Sequence, residues 1–111
     1  MADSKQSERF TSLEELLAAI QRRPAAYLTK GYISCLKAFL DGWHLLAYQY
    51  GVEIEGQALG PFQDWIAAKY RVTSSHSWAD IILFYSQDEC DALTNFFHLF
   101  EEWQQTVNAP L

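Results

Sequence analysis

The chain has 111 residues, half of them apolar and seventeen aromatic, with eight basic against fourteen acidic side chains and a net charge of −6. That length holds one domain and leaves little room for a second, and the apolar content is well above that of a disordered chain. A pI near 4.8 argues against nucleic acid as a direct partner, because neutralising phosphates takes a surplus of Lys and Arg. A basic protein partner suits this charge.

The charge is unevenly placed. Residues 1–37 hold six basic against four acidic residues, a net +2, whereas residues 38–111 hold two against ten, a net −8. Such an asymmetry fits an electrostatic docking surface, and equally a solvated, solubilising face. Cys35 and Cys90 are the only thiols; both fall in apolar helical surroundings and are expected to be buried and free in a reducing compartment. The N-terminus has no apolar h-region of a signal peptide behind it, and no apolar stretch approaches the ~20 residues of a membrane span. A cytoplasmic protein is expected, with no membrane association.

In chain order, residues 1–10 are polar and are expected to fray, leaving residues 11–108 as a single helical domain. Thr11 and Ser12 each precede a Glu by three residues (Glu14, Glu15), the capping-box spacing. Leu13, Leu16, Leu17 and Ile20 then recur at helical spacing, and Pro24 ends this first helix by Arg23. The longest periodic segment runs from Tyr32 to Tyr50. Ile33, Leu36, Leu40, Trp43, Ala47 and Tyr50 form its stripe, widened by Phe39 and Leu46. Ser34, Lys37, Asp41, His44 and Tyr48 fall on the opposite side. Ala38 and Gly42 offer a close approach to another helix, and Gly51 is placed as the C-terminal cap.

Residues 51–60 read as a linker. Pro61 suits the first turn of a third helix, with Phe62, Trp65, Ile66 and Tyr70 on its buried face. Ser77, three residues before Asp80, suits a cap for a fourth helix carrying Trp78, Ile81, Ile82 and Tyr85. Residues 81–85 could alone make a buried strand, but no second strand exists to pair with them. Ser86 with Glu89 reads as another capping box, opening a last helix whose apolar face is Leu93, Phe96, Phe97, Phe100 and Val107. The fold class expected is all-α, a single compact domain of about five helices.

Catalytic chemistry finds little support. His44, His76 and His98 sit on three elements without a recognised motif, and Ser75-His76-Ser77 reads as a helix N-cap region rather than a catalytic set. Cys35, His44, Cys90 and His98 match no zinc spacing, and no phosphate-binding Gly-rich loop or HExxH is present. No catalytic residue, metal or cofactor is expected. Arg22 and Arg23 before Pro24 complement a helix C-terminus.

The last helix carries the most informative polar pattern. Asp88, Asp91, Asn95, His98 and Glu102 are spaced 3, 4, 3 and 4, a stripe opposite the Phe face. Glu101 flanks it, and Glu53 and Glu55 add negative charge from the linker. This is either the wet side of an amphipathic helix or an acidic strip for a cationic partner.

Four blocks carry a resemblance: Arg23-Pro24-Ala25-Ala26-Tyr27-Leu28, Leu36-Lys37-Ala38-Phe39-Leu40-Asp41-Gly42-Trp43, Phe62-Gln63-Asp64-Trp65-Ile66, and Ser75-His76-Ser77-Trp78-Ala79-Asp80-Ile81-Ile82-Leu83-Phe84. In this order the chain, over roughly residues 13–103, resembles small helical immunity proteins of bacterial contact-dependent growth inhibition and related toxin systems. Ala26 stands where that family carries Met, and Thr29 where it carries Gly. The resemblance implies a cytoplasmic inhibitor, a monomer before complex formation, that binds a basic toxin domain such as a ribonuclease. The carboxylates of Asp88, Asp91, Glu101, Glu102, Glu53 and Glu55 would then cover the toxin's basic cleft in place of phosphate, with Asn95 and His98 on the same partner-binding stripe and Tyr48 as an anchor. The competing expectations are a small ligand-binding domain and a structural homodimer.

Overall fold

The structure is a computed structural model describing residue 10, residues 12–53 and residues 59–108. The N-terminal segment 1–9, Thr11 and Glu55 lie outside these residues. The fold is all-α, with five helices: α1 (Leu13–Arg22), α2 (Ile33–Gln49), α3 (Gly60–Lys69), α4 (Trp78–Phe84) and α5 (Glu89–Asn108), plus a 3-10 turn at Pro24–Ala26. No strand forms among the described residues, so the 81–85 run is helical. None of the described helices is long and apolar enough to cross a membrane.

Local chemistry explains most boundaries. Ser12 caps α1, its Oγ accepting the Glu15 N–H at 3.1 Å, and the Arg23 N–H closes the helix on the Ala19 carbonyl before Pro24. Gly51, at φ +64°, ends α2: its N–H reaches the Tyr48 carbonyl and the Val52 N–H the Ala47 carbonyl, the Schellman pattern. The same pattern ends α3 through Arg71 and Val72. There the left-handed position, φ 57°, is held by a non-glycine residue, Arg71, at a cost of about 1–2 kcal/mol relative to a relaxed backbone.

Ser77 caps α4 by accepting the Asp80 N–H. Gln63 of α3 reinforces that end: its Oε1 accepts the Trp78 N–H at 2.6 Å and its Nε2 donates to the His76 carbonyl at 3.1 Å. Ser86 does not open α5. Its hydroxyl donates to the Ile82 carbonyl at 2.6 Å, closing α4, and Asp88 caps α5 by accepting the Asp91 N–H at 2.8 Å. Glu89, freed from a capping box, accepts the Ser34 N–H of α2 at 3.0 Å. It satisfies a helix start whose own cap residue, Tyr32, offers no side-chain acceptor.

One buried cluster joins all five helices. Phe62 and Phe96 are fully buried at its centre, and the Phe62 ring lies 5.5–6.1 Å from those of Trp65, Trp78, Phe96, Phe100 and Trp103. Several expected core positions stay outside it: Leu46, Tyr50, Tyr85 and Val107 are each more than half exposed, because each lies at a helix end. Cys35 is half-buried and Cys90 exposed, both as free thiols, against the expectation of two buried ones. Gly42 serves no close approach, as nothing lies within 4 Å of where its Cβ would be.

Two substitutions check this packing by urea denaturation. Phe62→Ala is expected to cost about 3–5 kcal/mol, since it empties the centre of a rigid cluster. Gly42→Ala is expected to add about 0.5–1 kcal/mol, because a mid-helix glycine with open space around it contributes only backbone entropy to the unfolded chain.

Candidate functional site

The polar stripe of α5 is divided by its own hydrogen bonds. Asp88 is exposed, but its carboxylate is the α5 cap. Asp91, half-buried, accepts the Gln87 N–H at 2.9 Å and the Asn95 Nδ2–H at 3.3 Å; Asn95 also donates to Ser86 Oγ at 2.9 Å. These three side chains knit the α4–α5 corner together. Further along, Glu102 is paired with Lys69 of α3 at 3.1 Å. Only His98 and Glu101 are exposed with their side chains uncommitted to other described residues. Glu101 borders a groove between α1 and α5 that the Gln104–Glu14 hydrogen bond also lines.

Tyr48 does not join the Asp88 end of this stripe. Glu89, next to Asp88, lies against Ser34 at the start of α2, and Tyr48 stands fourteen residues, about 21 Å of helix, further along. The structure therefore separates Tyr48 from the Asp88 end of the α5 stripe.

The end of α2 carries a second feature. Leu45, Leu46, Tyr48, Tyr50 and Val52 are all between 58% and 83% exposed, so the last turns of α2 stand clear of the bundle with apolar side chains on several faces. Glu53, also exposed, follows directly. The signal was present in the sequence: Leu45 and Tyr48 fall off the main stripe, so apolar side chains lie on several faces of this helix end.

His44 sits where α2 crosses the starts of α3 and α4, in a shallow pocket lined also by Lys37, Asp41, Gln63 and Trp78. Its Nε2 is buried without a hydrogen-bond partner. Burial holds the imidazole below its ordinary value, opposed in part by the negative charge of Asp41, which is itself paired with Lys37 at 2.6 Å. His76 shares a 2.5 Å hydrogen bond with Ser74 Oγ; among the described residues no carboxylate hydrogen-bonds to its ring, although Asp80 lines the same pocket. Among the described residues no group of three or more His, Cys, Asp or Glu side chains is arranged to hold a metal; Cys35, His44, Cys90 and His98 do not converge.

No protein-family model, curated protein or solved structure matches this chain.

The buried imidazole sets a pH dependence. A folded value below about 6.5 means that the unfolded chain binds the proton more readily. The stability contributed by neutral His44 is therefore complete above pH ~6.5 and is lost as pH falls through the lower folded value. In urea titrations from pH ~7.5 to ~5, His44→Phe is expected to lose less stability than the unsubstituted chain, and an NMR titration of His44 should place its midpoint below 6.5.

Proposed function

We propose that this chain is a protein-binding inhibitor of the immunity-protein class, which neutralises a toxin domain by covering its cationic active-site cleft. The observation that carries this reading is the apolar end of α2: five large side chains within residues 45–52 remain in water. Exposing them is unfavourable by tens of cal/mol for each Å², and a docked partner recovers that energy. Tyr48 and Tyr50 are the anchors, being large and amphipathic with few rotatable bonds.

Charge narrows the partner. Residues 38–111 carry a net −8, and Glu53 lies directly beside the anchors. A ribonuclease or other nuclease needs a basic cleft to hold phosphates, and such a cleft attracts carboxylates by the same force. The resemblance to immunity proteins points the same way. Asp88 and Asp91 hold the start of α5, so the recognition charge is assigned instead to Glu53, which follows the anchors in sequence, with Glu101 adding to the long-range field.

The partner used in the test is the toxin domain encoded in the neighbouring reading frame, with binding measured by calorimetry. Tyr48→Ala with Tyr50→Ala is expected to weaken the complex at least about tenfold while leaving the urea midpoint unchanged, since both residues are exposed. Added salt is expected to weaken the complex of the unsubstituted chain. Unchanged affinity in the double variant would remove the α2 end from the interface. A concentration-dependent homodimer abolished by the same substitutions would replace inhibition by self-association.

A further inference from the structure

We infer that the pocket along α4 is a receptor for an arginine side chain presented by a protein partner, separate from the α2 end and beyond the inhibitor reading. The pocket has a volume of about 310 Å³ and opens between the 72–76 segment and one face of α4. Its components supply what a guanidinium needs and an ammonium does not.

The carboxylate is Asp80. Its backbone N–H is used in capping α4, but its side chain is exposed and has no hydrogen bond or ion pair with any described residue. Lys37 is paired with Asp41 and Lys69 with Glu102; His76, which also lines the pocket, is hydrogen-bonded to Ser74, and exposed Arg71, just before the 72–76 segment, makes no ion pair with Asp80. One helical turn on, at i+4, the ring of Phe84 is 78% exposed. That spacing places the two side chains about 5–6 Å apart at Cβ, on one face. A guanidinium lying flat against the ring reaches the carboxylate with its edge, combining stacking with a forked hydrogen bond.

The rest of the pocket suits the remainder of an arginine. Ile81 and Val72 offer an apolar wall for its methylene stem. Tyr85 is held in place by stacking on Tyr70, with ring centroids 4.6 Å apart and an 18° interplanar angle, and packs edge-on against Phe84 at 5.0 Å. The aromatic wall is therefore set before a ligand arrives, which reduces the ordering cost of binding. Lysine, with a compact and strongly hydrated ammonium, gains less from a flat ring and a single carboxylate.

The test titrates the full chain, labelled with nitrogen-15, with N-acetyl-arginine methylamide, and in parallel with the citrulline and lysine analogues. Saturable amide shifts confined to residues 72–85 are expected with the arginine compound, none with uncharged citrulline, and weaker binding with lysine. Asp80→Asn and Phe84→Ala, each verified as folded from its spectrum, are expected to weaken the arginine compound about tenfold. Tyr48→Ala with Tyr50→Ala should leave it unaffected, which separates this site from the inhibitor interface. Equal shifts from arginine and citrulline, no saturable shift with arginine up to its solubility limit, or undiminished binding in Asp80→Asn would each overturn the assignment.

Discussion

The ring of Phe62 is where α3, α4 and α5 meet, with Trp78 on one side and Phe96, Phe100 and Trp103 on others, all at 5.5–6.0 Å between centroids. Edge-to-face packing of this kind is directional as well as hydrophobic, so it fixes the angles between helices and not merely their proximity. The polar staples follow from it. With α3 held against α4, Gln63, one residue after Phe62, reaches the Trp78 N–H and the His76 carbonyl. With α5 held against both, Lys69 reaches Glu102.

A second constraint concerns α2, which starts without a side-chain cap of its own. Glu89 supplies the acceptor from α5, tying the start of α2 to the start of α5 and anchoring that half of the helix in the core through Ile33, Leu36 and Leu40. The other half extends beyond the bundle. The geometry that secures one end of α2 thus leaves the large apolar side chains of Leu45, Leu46, Tyr48, Tyr50 and Val52 in water, a consequence of helix length exceeding the core it packs on. The α4 pocket has a comparable origin: α4 is only seven residues long, so its Phe84–Tyr85 end lies on the rim with rings exposed.

Short-range chemistry was readable from the chain itself. Ser12 and Ser77 cap where their spacing to Glu15 and Asp80 predicts, Pro24 and Gly51 stop helices as their backbones require, and the period of Leu36, Leu40, Phe62, Ile66, Phe96 and Phe100 marks the core. Ser86 has the capping-box spacing to Glu89 but does not cap α5, because its hydroxyl is taken by the Ile82 carbonyl and Asp88, nearer to the helix start, accepts the Asp91 N–H. The α5 stripe was legible as a stripe, but its hydrogen bonds were not: spacing gives no sign that Asp91 and Asn95 fold back on the α4–α5 corner or that Lys69 claims Glu102. The α2 end was half legible: Leu45 and Tyr48 lie off the main apolar stripe in the sequence, but how much of that end is exposed depends on where the bundle stops.

What the chain alone determined is everything governed by neighbours within about one helical turn: helix class, most boundaries, the buried faces and the uneven charge. Those depend on φ/ψ preference, capping and periodicity, which act locally. What the tertiary structure decided is which polar groups remain free. Asp88, Asp91 and Glu102 are engaged and Asp80 is not, Leu46 and Tyr50 are in water although they continue a buried stripe, and His44 of α2 faces the starts of α3 and α4 with an unpartnered nitrogen. Each of these depends on where a helix ends relative to the elements packed on it, a distance set by the aromatic centre around Phe62 and invisible to any local pattern.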